Sequence, residues 1–259
     1  MKAGNDVESI AVSRDGKWIV SGARRGHVAV WDAESHNMAI AFRGHEGPVL
    51  AVDISPDGTR FATGSWDKTV RIWLLLTGEQ LLRPLGHDWY VTAVKFAPDG
   101  CSIATATLSK SVLIYDGHDG HLVVDMPMRI GSLHNHSLAW GGLGRELFAL
   151  SKDGDIHCID MVTGMMLSKW AIHSNNKPWS IVLASDSAFI AASANASVSI
   201  WNMATHQQIG PLIHHTVEAI SVAISANHDL AIGGAQKMIL RKLPDILPSS
   251  YFEHVCVFS

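Results

Sequence analysis

Apolar positions along this chain fall into short runs of five to seven residues, either alternating with polar ones or filling the run, and turn-forming residues break the runs apart. VLAVDIS (49–55), RFATGS (60–65) and TVRIW (69–73) follow one another in this way, with PDG (56–58) between the first two. A period of two is the periodicity of a strand, and Pro and Gly in a short spacer suit a tight antiparallel turn. After a Thr-Gly turn, QLLRPL (80–85) reads as a fourth strand. Helical spacing of apolar residues is not sustained anywhere, so the pattern predicts an all-β chain.

The pattern recurs six times. FATGSWDKTVRIW (61–73) has counterparts in WIVSGARRGHVAVW (18–31), SIATATLSKSVLIY (102–115), LFALSKDGDIHCI (147–159) and FIAASANASVSIW (189–201), and a fainter one in LAIGGAQKMILRK (230–242). The last positions of these copies, Trp31, Trp73, Tyr115, Ile159, Trp201 and Lys242, are separated by 42, 42, 44, 42 and 41 residues. The PDG turn returns as RDG (14–16), PDG (98–100) and SDS (185–187), and GGLG (141–144) replaces it in the fourth copy. A period of about 40 to 45 residues is that of one four-stranded propeller blade. Four short strands alone leave both sheet faces wet, so such units stack on their neighbours. The expected fold is one β-propeller domain over 1–259. Its six four-stranded blades run at approximately 7–43, 44–85, 86–127, 128–171, 172–213 and 214–259. An incomplete seven-bladed ring is the alternative. YFEHVCVF (251–258) reads as the last strand of the sixth blade, or as unrelated sequence where a seventh is missing.

Residues 44–73, GHEGPVLAVDISPDGTRFATGSWDKTVRIW, closely resemble the WD40-repeat family, and the resemblance extends with decay over residues 7 to 243. It implies that His45, Thr63, Asp67 and Trp73 form a hydrogen-bonded structural tetrad. The chemistry agrees, since a buried indole N–H needs an acceptor and an imidazole between a hydroxyl and a carboxylate is held in one tautomer. The other copies depart from the pattern. The third has His87 and Thr105 but Ser109 and Tyr115; the fourth has Asp153 but Ala149 and Ile159. The fifth has Trp201, with His173 near its slot and Asn195 for the Asp; the sixth keeps His215, with Gln236 and Lys242 in the other slots. The first has Ser21 and Trp31 but Arg25 for the Asp.

Composition narrows the function. The 259 residues are 47% hydrophobic and 17% charged, enough for a large core, and a net charge of −4 without a run of five like charges argues against nucleic acid. No apolar run reaches membrane-spanning length and the first residues lack a signal-peptide core, so a soluble chain in the cytoplasm or nucleus is expected, with no membrane partner. Three scattered cysteines suggest neither disulfides nor zinc. Fifteen histidines invite a metal or a general base, yet most sit in tetrad slots or turns, so no metal, cofactor or catalytic residue is assigned. No GxSxG, Walker, HExxH or kinase motif is present.

Of nine tryptophans, Trp18, Trp31, Trp73, Trp140, Trp170 and Trp201 fall in strands. Trp66 lies in a turn between second and third strands, and Trp89 with Tyr90 lies between a tetrad-slot His and the next strand, with Trp179 on a similar approach. By the resemblance these positions ring a peptide-gripping face. Aromatics and Arg dominate binding hot spots, so Trp66, Trp89, Tyr90, Trp179 and Arg24 are the expected partner-binding set. The expected function is a non-enzymatic scaffold for a protein or peptide partner. The alternatives are the partner-sensing C-terminal portion of a larger NTPase-type sensor, and a propeller hydrolase with a central-channel site.

Overall fold

The computed structural model describes residues 6–109, 112–125, 133–141, 143–151, 153–172, 178–184, 189–216, 218–225, 228–234 and 238–247, without the side chains of 133–136 and 178. Two compact units divide the chain, Met1–Leu138 and Ala139–Ser259, and the division falls within a strand of the fourth sheet.

The first unit holds three antiparallel sheets. Strands β1 (Val7–Val12), β2 (Trp18–Ala23), β3 (His27–Asp32) and β4 (Met38–Arg43) make the first. β5 (Val49–Ile54), β6 (Arg60–Ser65), β7 (Thr69–Leu74) and the short β8 (Leu85–Gly86) make the second. β9 (Val91–Phe96), β10 (Ser102–Thr107), β11 (Val112–Asp116) and β12 (Leu122–Asp125) make the third.

The remaining sheets repeat the order. β13 (Leu133–Trp140), β14 (Glu146–Ser151), β15 (Asp155–Asp160) and β16 (Met166–Ala171) form the fourth. β17 (Pro178–Leu183), β18 (Phe189–Ala194), β19 (Ser197–Asn202) and β20 (Gln208–His214) form the fifth. β21 (Ser221–Ile224), β22 (Asp229–Gly233) and β23 (Met238–Lys242) form the last, three-stranded among the described residues. The fold is all-β, a β-propeller of six blades, and the one helical element described is the 3-10 turn Leu243–Asp245. No helix among the described residues is long and apolar enough to cross a membrane.

One expectation changes in detail, and another falls outside the described residues. QLLRPL does not form a regular fourth strand: it meets β7 through a single bridge, Trp73 to Gln80, before pairing resumes at Leu85. Pro84 has no N–H to give to a ladder, which accounts for the break. YFEHVCVF, expected as the last strand of the sixth blade, lies outside the described residues.

The turns obey the backbone limits that the sequence implied. Gly16, Gly58 and Gly100 have φ of 73°, 68° and 73°, the left-handed region in which a side chain is strained. After the third strands of the first five blades the same region is held by His36, Gly78, Gly120, Gly164 and His206 at φ 55–74°, so two of the many histidines hold this turn position.

Packing within the first unit is a socket joint. A Cβ at Gly22 would stand 2.4 Å from Cγ1 of Val49 and 2.9 Å from Cγ2 of Val52, and one at Gly64 would stand 2.6 Å from Val91 and 2.8 Å from Val94. Each glycine on a second strand therefore admits two valines from the inner strand of the following blade. The joint carries polar links as well. Val52 N–H donates to Ser9 Oγ at 3.1 Å, while Asp53 accepts from Lys95 Nζ at 2.7 Å and from Phe96 N–H at 2.8 Å.

Candidate partner-binding surface

In blade two, Trp73, Thr63, His45 and Asp67 are hydrogen-bonded in series. Trp73 Nε1–H donates to Thr63 Oγ1 at 2.9 Å, Thr63 Oγ1 lies 2.6 Å from His45 Nε2, and His45 Nδ1 lies 2.8 Å from Asp67 Oδ2. A carboxylate only accepts, so Nδ1 is the donor, and a neutral ring then takes the Thr63 proton at Nε2. Asp67 also accepts from Glu46 N–H at 3.1 Å and from the Thr69 hydroxyl at 2.7 Å. Burial pushes the Asp67 carboxyl up, but the hydrogen bonds from His45 and Thr69 outweigh it and hold the group well below the ordinary carboxylate range. Trp73 is packed by Phe42, with ring centroids 4.8 Å apart, and by Phe61.

The degenerate copies keep parts of this chain by other means. His87 Nε2 lies 2.9 Å from Thr105 Oγ1, and its Nδ1–H donates to the Leu85 carbonyl at 3.0 Å, which fixes the same tautomer without an Asp. Burial holds His87 below its ordinary value, against the opposing pull of Leu85 and Asp88. Ser109, in the Asp slot, donates to the Asp88 carboxylate instead. In the first blade Trp31 Nε1–H donates to Ser21 Oγ at 2.9 Å. In the fifth, Trp201 turns to Ser199 on its own strand at 2.8 Å, since Ala192 stands where Thr63 does. His215 keeps the backbone position of the slot: its N–H donates to Ala196 O at 2.7 Å, as His45 N–H does to Gly26 O and His87 N–H to Lys68 O. His173 and Gln236 lie outside the described residues.

Above this scaffold three of the expected contact residues converge. Trp66, first residue of the β6–β7 turn, is 49% exposed and its N–H is tied to Pro48 O at 3.0 Å. Its ring stacks on Tyr90 of the next blade, centroids 4.8 Å apart and planes 12° from parallel. Trp89 is 42% exposed and tilts against Tyr90 at 5.3 Å. Lys68, absent from the expected set, carries its Nζ over the Trp89 ring at 5.1 Å from the centroid. Lys68 has φ 66°, the conformation that glycine supplies at Gly26 and Gly154 in other blades. Positive φ on a lysine is the one sequence-level irregularity in this turn, readable by setting it against the glycine of the first copy.

The other two expected residues stand elsewhere. Arg24 opens the β2–β3 turn, 42 residues before Trp66, and its N–H donates to Asp6 O as Trp66 N–H does to Pro48 O. Its exposed guanidinium is paired with Glu8 at 3.3 Å and Asp6 at 3.6 Å. Trp179, expected on a loop, is instead the second residue of β17 and is half-buried, in the register that Leu50 holds in β5. The strand begins earlier than expected because Pro178 already pairs with Ala194. Trp179 belongs to the second unit and Trp66 to the first.

Two further clusters carry no chemistry of their own. Asp116, Asp119 and His121 bring their ligand atoms within 4.8 Å of one another, a grouping missed in the sequence. Their carboxylates are occupied by the turn itself, Asp116 by the N–H groups of His118 and Asp119, and Asp119 by His121. A cavity of about 140 Å³ beside Phe148, Leu183 and Met203 holds Cys158, whose thiol is pushed up to about 11 by burial and by Glu146. A thiol so protonated is a poor nucleophile.

The WD40 family profile, described as WD domain, G-beta repeat, matches residues 2–32, 37–73 and 78–116, segments that carry β1–β3, β4–β7 and β8–β11. WD40 repeats occupy these three segments of a β-propeller fold. Such propellers generally mediate protein–protein interaction. Among curated proteins no relative matches the chain.

Proposed function

We propose that this chain is a non-enzymatic, protein- or peptide-binding module, in the cytoplasm or nucleus, whose contact surface centres on Trp66, Tyr90 and Trp89 with Lys68 at its edge. The observation that carries the reading is the stack of Trp66 on Tyr90 across two blades, with both tryptophans more than two-fifths exposed. Large aromatics with a polar edge are the side chains that most often dominate binding energy, and these are held by turns anchored to the scaffold. Exposed Glu46, Asp88 and Lys68 surround the aromatics with both signs of charge, a rim that suits a mixed polypeptide surface. Arg24 and Trp179 extend the proposed set as separate positions.

The test compares native-extract captures by the wild-type chain and by a Trp66→Ala, Trp89→Ala double variant of matched melting temperature. A polypeptide retained by the first and lost by the second, then reproduced with the purified partner, supports the reading. Equal retention by both overturns it.

A further inference from the structure

Two arginines of the first unit meet in an open cleft. Arg43, the last residue of β4, and Arg71, in the middle of β7, line a cavity of about 510 Å³ together with Gly44, His45 and Glu46. Among the described residues no ion pair involves Arg43 or Arg71, whereas Arg24, Lys95 and Lys169 are paired. The His45 ring is already committed to Thr63 and Asp67, so the free hydrogen-bonding capacity of the cleft lies in the two guanidinium groups.

Arg71 is out of keeping with its register. It faces Thr63, and the residues that face the same second-strand position in the other blades are Ala29, Leu113, His157, Ser199 and Ile239. Only blade two places a permanent charge there, so the blade architecture does not require one. The guanidinium is held in place without being satisfied. Its Nη1–H donates to Gln80 Oε1 at 3.2 Å, and the Gln80 amide is turned that way because its own N–H donates to the Leu82 carbonyl. The Arg71 Nε–H is buried and has no acceptor. Arginine offers five donors, and a buried one left unpaired is a cost that an incoming acceptor relieves. Arg43 gives its Nε–H to His45 O at a long 3.4 Å.

Charge and shape select the ligand. Two guanidinium groups against the single carboxylate of Glu46 leave one positive charge in excess, which one monoanion neutralises and a phosphate dianion would overshoot. A carboxylate also matches the planar arginine fork with two parallel N–H···O bonds. Its source follows from continuity with the aromatic surface: Glu46 N–H donates to Asp67 beside Trp66, and a Cβ on Gly47 would stand 3.1 Å from the Trp66 Cβ. We propose that the Arg43–Arg71 cleft binds the carboxylate of an Asp or Glu side chain on a polypeptide partner. The choice of a polypeptide rests on the reading of the Trp66–Tyr90 surface as a partner-binding face.

Fluorescence anisotropy of a fluorescein-labelled decapeptide of alternating glutamate and glycine tests this, with a glutamine–glycine decapeptide as control. The wild-type chain is compared with Arg43→Gln, with Arg71→Met and with the Trp66→Ala, Trp89→Ala double variant, each confirmed as folded by its thermal melt. Arg43→Gln changes an exposed side chain and carries the test alone if Arg71→Met fails to fold. The wild type is expected to prefer the glutamate peptide, and each arginine substitution to weaken that binding about tenfold or more, as loss of a charged hydrogen-bond partner does. The probe has no group for the aromatic surface, so the tryptophan variant is expected to bind it as the wild type does. Absence of a preference for the glutamate peptide, or equal binding by the arginine variants, overturns the proposal. Displacement of the peptide by inorganic phosphate at lower concentration than by acetate would assign the cleft to a phosphoryl group and overturn the carboxylate assignment. Failure of the aromatic reading shows instead in the extract capture and leaves the anisotropy as it is.

Discussion

Trp66 and Tyr90 lie 24 residues apart in sequence and in different blades, yet their rings stack at 4.8 Å with planes only 12° from parallel. The contact exists because the β6–β7 turn of one blade lies against the segment leading into β9 of the next, where His87 N–H donates to Lys68 O at 2.9 Å. A half-exposed tryptophan is thereby held in one orientation by a neighbour, which lowers the ordering cost of any partner that binds it.

Stability and recognition are expected to separate at the two tryptophans of blade two. Trp73→Ala leaves a cavity beside Phe42 and Phe61 and strips Thr63 of its donor, a loss of about 3–5 kcal/mol. Trp66→Ala forfeits chiefly the ring stack, about 0.5–1.5 kcal/mol. Urea unfolding of the two variants checks this, and equal losses would place Trp66 in the core.

Thr63 joins two side chains where Thr105 joins one. Thr63→Val leaves both the Trp73 indole and His45 short of a hydrogen bond, whereas Thr105→Val strands only the His87 side chain, since Tyr115 turns to Gly86 O; each hydroxyl also has one third-strand carbonyl, of Arg71 and of Leu113. Each buried group stranded costs about 1–3 kcal/mol, so Thr63→Val is expected to be the more damaging by one such increment. Unfolding curves in which Thr105→Val matches or exceeds it would contradict the hydrogen-bond chain described.

Lys68 pays for its position with backbone strain of about 1 kcal/mol, because φ of 66° suits glycine. Lys68→Gly is expected to raise the melting temperature slightly while weakening partner binding through loss of the cation over Trp89. A lower melting temperature would show instead that the Lys68–Trp89 contact outweighs the strain.

Acid is expected to destabilise the fold in two stages. His87 and His157 are held below their ordinary 6.5, chiefly by burial, so the unfolded chain binds protons more readily than the folded one; their contribution is complete above about pH 6.5 and falls as pH drops below it. Asp67 is held below its ordinary 3.8, so its contribution is complete above that value and is lost as pH falls toward its lower folded value. Melting temperature against pH should therefore be level in the neutral range, decline below about 6.5 and drop again below about 4, with His87→Gln flattening the first decline. Stability that rises on acidification from neutrality would refute these directions.

Strand order, blade period and the blade-two tetrad were legible because they depend on local information. Alternation fixes which way successive side chains point, a left-handed turn demands Gly58, and the resemblance to the WD40 repeat implied the grouping of His45, Thr63, Asp67 and Trp73. The third blade was legible only in part: Ser109 showed the Asp to be missing, while the Leu85 carbonyl that replaces it as the partner of His87 is a backbone group with no signature in residue identity. The place of Trp179 on β17 was not legible, because the pairing of Pro178 with Ala194 that opens the strand is supplied by β18.

The sequence by itself determined that Val49, Val52 and Ile54 have the pattern of an apolar strand face, and that Trp66 and Tyr90 are aromatics outside the core strands. Tertiary structure alone decided that those three are buried against the preceding blade, and that the two rings meet. Burial and stacking are set by what lies across from a residue, and in a chain of equivalent sheets that neighbour is supplied by another repeat.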